Sequence, residues 1–158
     1  MQYIDKIWNR FNIFLILTVI YCLMIFYLSS KSALPQPVDI ELHFFSKIAH
    51  LIENSKFNFL FYPFYFIYLN FDKFEHIILY AGFGFLLYLT LSNSNNTAMR
   101  KYAIILAILV GAFYGITDEI HQSFVPARSA SIMDLFADVI GVAFAQVIII
   151  FFNKKYTK

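Results

Sequence analysis

The chain has 158 residues, 60% hydrophobic and 14% charged, with a mean hydropathy of +0.66 and a net charge of +2. Soluble domains carry about 25% charged residues, and a chain this short has too much surface to hide such an apolar excess; low-hydrophobicity disorder is excluded as well. The small net charge argues against a nucleic-acid partner, and a single cysteine, Cys22, excludes an internal disulfide and a thiolate metal cluster.

What remains is an all-α polytopic membrane protein. Backbone groups in lipid must be satisfied within helices or a closed barrel, and these apolar runs lack the strict alternation of barrel strands. The first predicted span covers about residues 11–28 and carries no charge. Lys6 and Arg10 before it and Ser30 to Ala33 after it imitate a signal peptide. Its 18 uncharged residues exceed the usual signal core of about 7–15, so a retained anchor is expected. A long outer loop follows. Within it, residues 57–71 hold nine aromatics in fifteen positions around Pro63, a composition suited to the headgroup boundary. An interfacial or re-entrant segment is predicted there. A fifth span is the rival, and it would invert everything downstream.

The second span, about 74–91, is entered through Asp72, Lys73, Glu75 and His76. Asp72, His76 and Tyr80 repeat at i, i+4, i+8 and share a helical face. Asp72 is placed to favour the helix dipole and to orient the His76 ring. The third span, about 102–119, runs into Asp118-Glu119-Ile120-His121-Gln122, with Gln122 one turn from Asp118. Two acids at a helix C-terminus oppose the dipole, so they need a cationic partner or a role, and Arg128 is the obvious candidate partner. The fourth span, about 132–152, puts Asp134, Asp138, Gly141 and Ala145 on one stripe. Asp134 suits the first turn. Asp138, about 6 Å deeper by helical rise, is expected to face the bundle interior.

Seven of the twelve basic residues, Lys6, Arg10, Arg100, Lys101, Lys154, Lys155 and Lys158, fall on the side shared by both termini and the connection near residues 92–101. Short basic segments stay cytoplasmic, which predicts a multi-pass plasma-membrane protein with both termini inside. All acids but Asp5, and all four histidines, then lie on the outer side or in outer helix halves. No HExxH-like ligand spacing and no nucleophile elbow is present, so neither a metal nor another cofactor is assigned, nor a serine triad. Carboxylates beside a histidine suit general acid/base work. His76, Asp118, Glu119 and Asp138 are therefore the candidate catalytic set. Asp72, Tyr80, Gln122, Arg128 and Asp134 are the candidate binding residues, Arg128 being suited to a phosphate-bearing headgroup.

At these residues the chain resembles the VanZ-like family of small bacterial membrane proteins. The resemblance rests on Ser29-Ser30, on Asp72-Lys73-Phe74-Glu75-His76 with Tyr80, and on Asp118-Glu119-Ile120-His121-Gln122. It continues through Pro126-Ala127-Arg128 and from Ile132-Met133-Asp134 to Asp138 and Gly141. Ala127 stands where the family has the glycine of a Pro-Gly-Arg turn, and Ala145 where a second glycine is common. Lys47-Ile48-Ala49-His50 imitates the Lys73-to-His76 pattern, but Tyr80 and a full apolar run follow His76 alone. The resemblance implies one membrane domain over residues 1–158 and an association with teicoplanin resistance. The expected function is binding of an anionic lipid or a lipid-linked envelope precursor at an outward polar site. The alternatives are an acid/base enzyme acting on such a headgroup and a structural protein serving partner proteins. Expected partners are membrane lipids or lipid-linked precursors, with a homo-oligomer where the role is transport.

Overall fold

The computed structural model describes residues 9–31 and 71–156. The interfacial segment expected over 57–71, apart from its last residue, lies outside them, as do His43 and His50. The described residues form α1 (Arg10–Ser29), α2 (Phe71–Ser92), the short α3 (Thr97–Lys101), α4 (Ala103–Gln122) and α5 (Ile132–Tyr156). All but α3 are long and apolar enough to cross a membrane, so the chain is an all-helical, multi-pass membrane protein. Side-chain oxygens start several of these helices by taking orphan first-turn amides. Asn9 accepts from Asn12 N at 2.8 Å ahead of α1, and Asn96 accepts from Ala98 N at 2.8 Å ahead of α3. Ser131 Oγ accepts from Asp134 N at 3.3 Å ahead of α5. The helices overrun the predicted spans. α2 begins at Phe71 and α4 continues to Gln122, each carrying its terminal acids inside the helix.

The cross-helix contacts fix the direction of each helix. Thr18 shares a 2.8 Å hydrogen bond with Thr90, while Tyr21, further along α1, donates to the carbonyl of Leu79 at 3.1 Å. Rising α1 numbers meet falling α2 numbers, so the two are antiparallel. His76 pairs with Asp138, and Gln146 Nε2 donates to Gly84 O at 2.9 Å, which makes α2 and α5 parallel. Gly115 lies against Asp138 and Gly111 against Val142, so α4 opposes α5. The end of α1, the start of α2, the end of α4 and the start of α5 therefore share one end of the bundle. The chain leaves α1 and enters α2 at that same end.

The closest seam is between α2 and α5. A Cβ built on Gly141 would collide with the carbonyl of Ile77 and stand 3.0 Å from Ala81 N; one on Gly84 would stand 2.9 Å from Val142 Cα. Backbones this near gain the dispersion that drives helix association in lipid, where no hydrophobic effect operates. Around the seam Tyr80, Phe83, Leu87, Ala107 and Val142 form the buried core. Polar side chains at mid-depth are spent on backbone carbonyls: Tyr114 donates to Cys22 O at 2.7 Å, and Gln146 to Gly84 O. Ala145 is buried on the stripe expected to pack.

Candidate functional site

The polar end of the bundle is built from the α2–α5 seam outward. His76 Nδ1 donates to Asp138 Oδ1 at 2.8 Å, with Asp138 wholly buried. The reason is register: parallel helices set residue 76 beside residue 138, and Gly115 on α4 leaves room for the second oxygen, 3.0 Å from where a Cβ would be. Asp138 Oδ2 has no hydrogen-bond partner among the described residues. One turn nearer the end, Lys73 forms an ion pair with Asp134 and a second with Asp72 at 2.7 Å. Asp72 was expected to orient the His76 ring. Its side chain is 55% exposed and turned to Lys73, and Asp138, from a different helix, holds the imidazole instead. Tyr80 is 1% exposed, its ring stacked 6.5 Å from that of His76 and its hydroxyl within electrostatic range of Asp118 and Asp138.

α4 brings the remaining acids. Asp118 and Gln122 are 5% and 2% exposed, and Gln122 Nε2 donates to Asp118 Oδ2 at 3.2 Å, as one helical turn permits. Glu119, 6% exposed, accepts the Ser131 backbone N–H on Oε2 at 2.6 Å, while Oε1 is buried and has no hydrogen-bond partner among the described residues. Arg128, expected as the cationic partner of these acids, makes no ion pair with them; its Nε donates to Lys31 O at 3.2 Å. The acids are held in another way. The C-terminus of α4 repels them, but the N-termini of α2 and α5 converge at the same end and offer positive dipole ends and free amides. Ser131 N–H is one of those amides. The turn carrying Arg128 places Ala127 at φ 62°, in the left-handed region normally left to glycine.

On the α1 side, His121 stacks on Phe26 with ring centroids 4.4 Å apart. Its Nε2 lies 2.9 Å from Ser30 Oγ, whose single proton goes to Phe26 O at 2.7 Å. The hydroxyl must therefore accept, which puts a proton on His121 Nε2. Beneath this contact is a cavity of about 200 Å³ lined by Phe26, Tyr114, Thr117, Asp118 and His121. The next residue, Lys31, lies over the Tyr27 ring at 4.7 Å and meets Arg128 through its carbonyl.

Among the described residues, Asp134 pairs with Lys73 and Asp138 with His76, while Asp118 and Glu119 form no ion pair. One ring nitrogen of His76 and one carboxylate oxygen each of Glu119 and Asp134 lie within 4.8 Å of one another. Two carboxylates at that separation repel by about 3–4 kcal/mol at an effective dielectric near 20, which the Lys73 pair offsets at Asp134 but not at Glu119. Chemically, the arrangement can hold a cation or a proton among the acids, and it presents an imidazole oriented from behind by a carboxylate.

His76, Asp118, Glu119, Asp134, Asp138, Tyr80 and Gln122 thus come together at one end of the bundle. Asp72 stays at its exposed rim, and Arg128 meets the Lys31 carbonyl just beyond α1. Reading the chain alone left Lys73, Lys31 and the Ser131 amide out of the candidate set. For Lys73 a signal existed, because its i, i+3 spacing to His76 puts both on the face that meets Asp134 and Asp138. For Ser131 none did, since a backbone donor has no side-chain signature. The VanZ/LLP1 family model matches residues 13–153. No curated protein and no solved structure matches the chain.

Proposed function

The chain belongs to the VanZ/LLP1 family, and for this member we propose binding of an anionic headgroup at the polar end, carried by a membrane lipid or a lipid-linked envelope precursor. One observation carries the reading. Arg128 reaches from a distant part of the chain to the carbonyl of Lys31, a second cationic residue, which follows the Ser30 that contacts His121; Phe26, Tyr114, Asp118 and His121 line a cavity there. A phosphate would take the guanidinium and ammonium, and the adjoining lipid would lie along the aromatic wall. Arg100 and Lys101 in the last turn of α3, and Lys154 and Lys155 near the end of α5, stand at the opposite end. That bias supports an outward polar end in the plasma membrane with cytoplasmic termini. In this reading an effect on teicoplanin susceptibility would act through the precursor held.

A second reading, an enzyme altering the headgroup, is favoured by the His76–Asp138 pair, which leaves His76 Nε2 as a free base. Native mass spectrometry of the purified protein with phosphatidylglycerol and phosphatidylcholine separates the readings. Saturable preference for phosphatidylglycerol, weakened about tenfold or more in the Lys31→Ala, Arg128→Ala double variant, is the outcome expected for loss of charge-assisted hydrogen bonds. Turnover of a labelled headgroup that depends on His76 would favour the enzyme. Equal retention of both lipids by protein and variant would overturn the binding reading.

A further inference from the structure

The geometry points to a divalent-cation site formed by His76, Glu119 and Asp134, one ligand from each of α2, α4 and α5. Their ligand atoms lie within 4.8 Å of one another. Among the described residues, Glu119 Oε1 is an unpartnered carboxylate oxygen on a residue only 6% exposed, and its burial calls for a partner. The donor side of His76 is already arranged for a metal. Asp138 engages Nδ1 at 2.8 Å, which would leave Nε2 to ligate an ion, with a carboxylate behind the ring as in a carboxylate–histidine–metal relay. Two carboxylates with one imidazole and no thiolate suit Mn²⁺, Fe²⁺ or Zn²⁺ rather than a softer ion.

Ligands bound at about 2.0–2.2 Å around a tetrahedral ion stand roughly 3.4 Å apart, so the three side chains need to close by at most about 1.4 Å. Lys73 is the competitor. Its ammonium sits on Asp134 as the resident positive charge, and its second partner, the exposed Asp72, gives it somewhere to go when an ion displaces it. Ion entry is thus an exchange: the metal takes Asp134, and Lys73 keeps Asp72. Sequence spacing conceals such a site, because residues 76, 119 and 134 belong to three helices and form no local motif.

The cation site is independent of the headgroup reading, since its test contains no lipid. Mn²⁺ alone is titrated into the purified full chain and followed by the loss of free-ion electron paramagnetic resonance signal. One ion per chain is expected, with binding at least tenfold weaker in Glu119→Gln and several-fold tighter in Lys73→Gln. The tightening is the discriminating readout, because a Lys73 that serves packing alone gives no reason for it. Where Glu119→Gln fails to fold, Asp134→Asn takes its place with the same tenfold loss expected. Absence of stoichiometric uptake in both the wild type and Lys73→Gln overturns the site, and so does undiminished binding in the folded carboxamide variant.

Discussion

Ala127 shows how much a single residue can conceal. Its φ of 62° puts a β-carbon where sterics disfavour one, at about 1–2 kcal/mol for an L-residue. Glycine would remove that strain but add about 0.4–1 kcal/mol of freedom to the unfolded chain. The strain outweighs that freedom, so Ala127→Gly should stabilise the protein by up to about 1 kcal/mol, read as a raised midpoint of unfolding in detergent; a lowered midpoint would contradict the strain. The sequence could flag this turn, because a position normally needing glycine held alanine. Asp138 was legible for a similar reason: a carboxylate two turns inside an apolar run has to face the interior. The partners were less so. Asp138 meets a histidine 62 residues away, and Glu119 meets a backbone amide. Arg128 looked like the partner of Glu119 because it was the nearest cation in sequence, whereas helix register brought Lys73 into the cluster.

Between elements, the α2–α5 seam decides how the site is held. Gly141 faces backbone, the Ile77 carbonyl and Ala81 nitrogen, which cannot retreat without moving α2. Gly82 faces only the end of the Tyr21 side chain. Overpacking against a fixed surface costs about 1–3 kcal/mol. Gly141→Ala should therefore destabilise by that amount, while Gly82→Ala should lose no more than the roughly 1 kcal/mol of the Tyr21–Leu79 hydrogen bond. Unfolding titrations of the two variants side by side check the order; equal losses would mean that the seam is not the rigid element. The spans themselves were readable from composition, but their ends were not. Hydropathy falls where Asp72 and Glu119 appear, whereas the helical hydrogen-bond ladder is indifferent to side-chain charge and runs on to Phe71 and Gln122. The stripe of Asp134, Asp138, Gly141 and Ala145 was readable because it needs only the helical period.

At the scale of the molecule, the four span helices among the described residues alternate in direction, so that two of their N-termini and two of their C-termini meet at each end. One end collects the acids and His76; the other carries Arg100 and Lys101. What no single segment could reveal is the pairing order, in which α2 and α5 run side by side in parallel although two other helices separate them in sequence. The meeting of α2, α4 and α5 at the polar end depends on that order. Its most direct measurement is cross-linking in native membranes, with Cys22→Ser as background and two cysteine pairs, Lys73→Cys with Asp134→Cys and Glu119→Cys with Ser131→Cys. Both pairs should join rapidly under mild oxidation or with a short bis-thiol reagent, while Lys73→Cys paired with Arg100→Cys should not. Cross-linking that fails in both polar-end pairs, or that favours the Lys73–Arg100 control, would contradict a shared site.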